Sequence, residues 1–246
     1  MDRPSPLVLR VFPRVVVGIV AIVSLLPALL TIAGDDESAR TLGGDFPSFY
    51  AAGEIVLDGR IDELYDPAVQ AAYQGDFQER DEGLLYFAYP PVTAVLYVPF
   101  ALLPYGVAAS FHALCAMAAL TGAMWFLLPQ VDAALSRRDH VAIGVAAGLA
   151  MMPVVVAVLG GQNTTFTLLI IAGTWYLATG DRSVASGVVA GSLVFKPQFG
   201  LLLVAAIAIA RLWRAVAGAA AVWLVAYAIG AGAMGATWPS AWLDQV

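Results

Sequence analysis

The chain of 246 residues is 61% hydrophobic and only 12% charged, with a mean hydropathy of +0.81. Soluble domains carry about 25% charged and about 45–50% apolar residues, so this composition excludes a soluble globular protein and leaves a polytopic membrane protein. The net charge of −6 is concentrated in one loop, because 13 of the 18 acidic residues lie between Asp35 and Glu82, opposed there only by Arg40, Arg60 and Arg80; an acidic loop of this kind argues against nucleic acid as a partner.

At the amino end, Arg3, Arg10 and Arg14 precede the apolar run Val15 to Ala33. The run is too long for a signal-peptide core, and no A-x-A cleavage site follows it. It reads as a retained first span with its arginines cytoplasmic, which places Asp35 to Tyr89 outside the cytoplasm.

Within this loop the stretch Gly43 to Asp66, GGDFPSFYAAGEIVLDGRIDELYD, carries the pattern that organises the chain. From Pro47 the spacing predicts a helix with Phe46, Phe49, Tyr50, Gly53, Val56 and Leu57 on one face. Glu54 and Asp58 take the opposite face, and Gly59 is a stop signal. A helix with such an aromatic face is expected in the membrane interface, holding Asp45 at the membrane surface. Asp66 followed by Pro67 signals the start of a second short amphipathic helix, with Val69, Ala72, Tyr73 and Phe77 on one side. The loop closes at LLYFAYPP, Leu84 to Pro91, where two prolines break the chain as it re-enters the apolar phase.

Further apolar runs span Val92 to Leu103, Val107 to Leu128, Val141 to Leu159, Phe166 to Ala178, Val184 to Ala210 and Ala215 to Ala233. The first and fourth fall short of the roughly 20 residues a helix needs to cross a bilayer, so re-entrant or tilted half-spans are expected there. Basic residues cluster at Arg137 and Arg138, at Arg182, and at Arg211 with Arg214. If all are cytoplasmic, the turns GGQN (Gly160 to Asn163) and KPQ (Lys196 to Gln198) share the outer face with Asp45 and the YPP turn. That arrangement requires Val92 to Leu103 to be re-entrant.

Few residues are suited to chemistry. Lys196 is the only lysine and sits inside an apolar stretch, where a cation costs about 2.5–3.5 kcal/mol and should face a cavity or a partner. Pro197 breaks the helix beside it, and an anion such as phosphate is its natural ligand; a lysine snorkelling from a helix end is the plain alternative. Asp45 reads either as a catalytic carboxylate or as the cap of the helix that follows, and spacing leaves both open. Gln162 and Asn163 read as ligands or as caps. His112 reads as an interhelical contact, Cys115 as a small core residue that excludes an intrachain disulfide, and Trp213, Trp223, Trp238 and Trp242 as interface anchors. No phosphate-binding loop, dinucleotide fingerprint, zinc motif or nucleophile elbow occurs.

The ordered set DFPSFYAAG (Asp45 to Gly53), LYD (Leu64 to Asp66), YPP (Tyr89 to Pro91), GQN (Gly161 to Asn163) and KPQ (Lys196 to Gln198) resembles glycosyltransferase family 87 from about Val15 to Trp242. The resemblance implies an all-α integral membrane protein, a GT-C-like polytopic bundle formed by residues 1–246 as one domain, with 34–90 as its extracytoplasmic catalytic loop. It implies transfer of a sugar, mannose by family membership, from a polyprenyl-phosphate-linked donor to a glycan or glycolipid acceptor at the outer face of the plasma (inner) membrane. In that reading Asp45 is the general base and Lys196, with Gln198, Gln162 and Asn163, meets the donor phosphate. Tyr50 and Tyr89 are sugar or lipid contacts, and Asp66 joins the substrate-binding set. Neither a metal nor another cofactor is expected, and the partners are the lipid donor, the acceptor and membrane lipids. Family members continue for many more residues, so the sequence is expected to be incomplete at its carboxyl end. A transporter or flippase, and an inactive lipid-sugar-binding remnant, are the alternative readings.

Overall fold

A computed structural model describes residues 6–40, 42, 44–75, 83–128 and 135–244, and every regular element in them is helical. Arg3, Gly43, Phe77, Arg80 and Glu82, named above, lie outside the described residues. The first span, Val8–Ile32, is built from α1 (Pro6–Val23) and α2 (Leu26–Ile32), and most of its surface is uncovered by the rest of the chain. The short α3 (Asp36–Arg40) leads into α4 (Phe46–Leu57), which matches the predicted loop helix to within a residue at its start and two at its end.

The amphipathic pattern of α4 predicts one covered face. Phe46 and Phe49 are buried as expected, but so are Ala51, Ala52 and Ile55, because α6 (Pro91–Ala101) packs along the helix. Contact with α6 is backbone-close at Gly53, where an added Cβ would lie 2.8 Å from the Tyr97 carbonyl. Phe49 stacks on Tyr97 with ring centroids 4.6 Å apart, and Phe46 tilts against Tyr105 at 5.6 Å. Full burial of each such ring stabilises the packing by about 1.5–3 kcal/mol.

Beyond a 3₁₀ turn at Ile61–Glu63 comes α5 (Pro67–Gln74), capped by Asp66 as its sequence predicts. The extended segment that follows the loop runs beside α5 and is held by two buried glutamines. Gln70 donates to the Leu64 carbonyl and accepts from Phe87 N, while Gln74 both donates to and accepts from the Leu85 backbone. These side chains supply the backbone partners that a neighbouring strand would otherwise provide.

The ends of α6 decide its role. Tyr89, just before it, packs on Phe49, and Leu103, just after it, accepts a hydrogen bond from the Tyr50 hydroxyl at 2.8 Å. Both ends therefore lie against α4, and α6 runs beside that helix along its length. At 11 residues it is shorter than the roughly 20 that a helix needs to cross a bilayer, in keeping with the half-span expected there.

From there α7 (Tyr105–Leu127) is long and apolar enough to cross a membrane. The predicted run Val141 to Leu159 divides into α8 (Arg137–Leu149) and α9 (Met152–Leu159), bent by 93° at a break that precedes Pro153. α10 (Thr164–Thr179) follows. The run Val184 to Ala210 is likewise interrupted, into α11 (Ser183–Gly191), a 3₁₀ turn to Phe195, and α12 (Pro197–Ile209). α13 (Trp213–Met234) crosses α11 closely, with Gly187 and Gly191 facing Ala215 and Ala219, the small-residue packing by which helices meet in lipid. The chain then turns into α14 (Trp238–Leu243).

The tryptophans depart from the expectation of interface anchors. Only Trp213 stands largely exposed at a helix start. Trp223 donates to the Gly191 carbonyl, Trp238 to that of Tyr227 and Trp242 to that of Ala88. An indole N–H covered by protein needs an acceptor, and here these bonds tie α13 to α11, α14 to α13, and α14 to the segment before α6.

Candidate active site at the start of α4

Asp45 occupies the N-cap position of α4, yet its carboxylate makes no capping bond. Its backbone is helical there (φ −82°, ψ −13°), not the extended conformation that aims a capping side chain at the first turn. The capping alternative is therefore not realised, and the half-buried carboxylate is left available. What fixes Asp45 is its own amide, which donates to the Gly160 carbonyl at 2.8 Å. This bond brings the loop to the turn between α9 and α10.

That turn is the GQN segment. Gly161 takes φ +69°, and Gln162 N returns to the Ala157 carbonyl. Asn163 then sits at the N-cap of α10 without capping it. It is 4% exposed, and both its amide oxygen and its amide nitrogen lack a hydrogen-bond partner among the described residues. A buried amide left without a partner costs about 1–3 kcal/mol, and the Tyr89 phenol is the polar group beside it.

Tyr89 adjoins the same place. Its carbonyl accepts the Tyr65 hydroxyl at 2.7 Å, and its ring packs on Phe49 and Phe87. Burial pushes its phenol above the ordinary range; Asn163 lies close enough to pull the other way without completing a hydrogen bond, and the charge of Asp45 adds to the rise.

Lys196 lies at the break between α11 and α12, where its carbonyl accepts the amides of Phe199 and Gly200 at 3.0 Å each. Its half-buried ammonium feels the charge of Asp45 but forms no close ion pair among the described residues. Asp45, Tyr89, Asn163 and Lys196, drawn from four separate segments, thus converge at one end of the bundle.

The other expected site residues are placed differently. Gln162 is half-buried in the turn beside Asn163, and Gln198 is exposed in the first turn of α12. Asp66 is exposed and its carboxylate accepts the amides of Ala68 and Val69, so its visible duty is to start α5. Tyr50 is buried and anchored to Leu103; it borders a separate cleft of about 560 Å³ with Glu54, Arg60, Tyr73 and Tyr105.

One feature escaped the sequence reading. Behind Asn163 is a mostly apolar cavity of about 330 Å³ lined by Thr93, Tyr97, His112, Cys115, Phe166 and Phe195. His112 is fully enclosed; one ring nitrogen meets the Tyr97 hydroxyl at 3.0 Å, and the other, like the Thr93 hydroxyl, has no partner among the described residues. The sequence signal was slight: Thr93 and His112 are polar residues inside apolar segments, each of which taken alone reads as an ordinary helix contact, and Asn163 stands apart from them in the GQN turn.

The arrangement joins a free carboxylate, a cation, an unsatisfied amide and an apolar recess, which suits an amphiphilic anion and a hydroxyl nucleophile. A family model described as glycosyltransferase family 87 matches residues 87–246. No curated protein and no solved structure matches the chain. Tyr89, Gln162, Asn163, Lys196 and Gln198 fall within the matched segment, while Asp45, Tyr50 and Asp66 precede it. With well over half of its length matched, the chain belongs to glycosyltransferase family 87 and is a membrane glycosyltransferase.

Proposed function

We propose that the protein transfers a sugar, mannose on family likeness, from a polyprenyl-phosphate-linked donor to a hydroxyl of a glycan or glycolipid at the outer face of the plasma membrane. The supporting observation is the meeting of an uncapped Asp45 carboxylate with Lys196 and the unsatisfied Asn163 amide. Asp45 takes the proton from the acceptor hydroxyl as that oxygen attacks the anomeric carbon. The new bond from carbon to oxygen forms as the bond from carbon to phosphate oxygen breaks, so the anomeric centre inverts. The electron pair leaves with polyprenyl phosphate, whose growing charge is met by Lys196 and by the Asn163 and Gln162 amides in a water-poor setting. Tyr89 supports the sugar or the first part of the lipid, and Gln198, exposed in the first turn of α12, joins Lys196 at the phosphate.

The test is transfer from a panel of labelled polyprenyl-phosphate sugars in membranes, with wild type and Asp45→Asn compared at matched expression. Transfer lost in the variant supports the donor class and the base together. Transfer that survives the substitution removes Asp45 from the role of base, and transfer by neither protein removes the donor class.

The interruptions at Ala150–Met151 and at Lys196–Pro197 favour one competing reading, since broken helices beside a buried cation are also a transporter feature. Uptake of a polar lipid-linked substrate without any sugar transfer would decide for it.

A further inference from the structure

At the end of the bundle remote from Asp45, α1, α7 and α8 leave a second cleft of about 380 Å³, bordered by Arg14, Gly18, Thr121, Trp125, Arg138 and Val145. Tyr105 lies at the Asp45 end of α7 and Trp125 at the other, roughly 30 Å apart at about 1.5 Å of rise per residue, so this cleft is separate from the candidate active site. The surface it offers is divided. Its inner part is formed by apolar side chains and by Gly18, where an added Cβ would meet nothing within 4 Å, so the space beside α1 is open. Its outer part is cationic.

The charges at that mouth are not mutually cancelled. Arg14 pairs with the buried Asp139 at 2.6 Å, and Arg10 approaches the same carboxylate at 3.8 Å. Arg137 lies over the Trp125 ring with its guanidinium carbon 4.8 Å from the ring centroid. Arg138 is exposed and makes no hydrogen bond or ion pair with any described residue. Arg14 and Arg10 thus share the Asp139 carboxylate, and Arg138 adds a further cation at the mouth of the cleft. The side chain of Arg14, although paired, is still about half exposed (51%).

We propose that this cleft binds one anionic phospholipid of the leaflet opposite Asp45, its phosphate between Arg138 and Arg14 and one acyl chain in the space beside Gly18. Charge complementarity selects the occupant: guanidinium groups match phosphate oxygens, an apolar floor matches an acyl chain, and Trp125 stands at the depth where indoles favour the headgroup boundary. A basic pocket between spanning helices is the arrangement that holds anionic headgroups. The site stands independently of the sugar-transfer reading.

The test uses the full chain purified in an uncharged detergent. Its thermal midpoint is measured against palmitoyl-oleoyl phosphatidylglycerol, phosphatidylcholine with the same chains, and inorganic phosphate. Phosphatidylglycerol is expected to raise the midpoint saturably, since a ligand that binds only the folded state stabilises it, while the other two leave it unchanged. Arg138→Gln should shift half-saturation by about five-fold, the worth of one arginine at an anionic surface. Gly18→Leu, which fills the chain space without touching the charges, should weaken binding as well. An unchanged lipid-free midpoint in each variant shows that it folds. Equal stabilisation by phosphatidylcholine, full reproduction by inorganic phosphate, or wild-type titrations in both variants would each overturn the proposal.

Discussion

The amide of Asp45 and the carbonyl of Gly160, 2.8 Å apart, join the outer loop to a helix turn made much later in the chain. Gly44 makes this approach possible. It has φ +52°, and a Cβ there would lie 2.7 Å from the Gly160 oxygen and 2.9 Å from its Cα. Gly44→Ala therefore adds about 1–2 kcal/mol of left-handed backbone strain and pushes Asp45 off its support. Sugar transfer should fall by more than ten-fold with the protein still present in the membrane at normal levels. Normal transfer by this variant would show that the Gly160 contact does not position the site.

Lys196→Met tests the phosphate role. The loss of a cation that meets the donor should raise the donor KM and leave the acceptor KM unchanged. A donor KM unaltered by the substitution would remove Lys196 from the donor site. Steady-state kinetics with each substrate varied in turn distinguish these outcomes.

Gln70→Leu removes two backbone partners at once, from the Leu64 carbonyl and the Phe87 amide, both in protein-covered surroundings. A buried group left unsatisfied costs about 1–3 kcal/mol. The thermal midpoint should fall, and the segment from Leu84 to Phe87 should become cleavable by added protease in intact membrane vesicles. A variant as stable and as protected as wild type would show that the glutamine clamp is dispensable.

Sidedness can be read with single cysteines in a Cys115→Ala background. Asp62 and Thr164 are exposed at the Asp45 end of the bundle, and Arg138 is exposed at the other. Asp62→Cys and Thr164→Cys should react with an impermeant maleimide added from the same side, and Arg138→Cys only after the membrane is opened. Labelling of Asp62→Cys and Arg138→Cys from one side, with Thr164→Cys protected, would refute a re-entrant path of α6 and show it crossing.

Much of this architecture was legible in the residues. Asp66–Pro67 announced α5, Pro197 announced the break at Lys196, and the aromatic spacing from Phe46 to Leu57 announced α4, because capping, proline geometry and helical period are local. The shortness of α6 was legible in the length of the run Val92 to Leu103, which falls below the roughly 20 residues of a spanning helix. The bend between α8 and α9 was not anticipated, since an unbroken apolar run hides the effect of Pro153. Partners were the least legible. Nothing local tells that Gln70 and Gln74 serve a segment beyond the loop, that three tryptophans bond to distant carbonyls, or that Thr93, His112 and Asn163 share one cavity.

The joining of Asp45 to Gly160 and to the field of Lys196 also has a consequence in time. Phe46 and Phe49 emerge before Tyr97 and Tyr105, the rings that cover them, and Lys196 is added roughly eight to thirty seconds after Asp45 at about 5–20 residues per second. During that interval the loop carries its aromatic face uncovered and its carboxylate without a site. The loop must therefore wait beside the membrane surface, or be shielded by the insertion machinery, until the helices that complete the site have arrived.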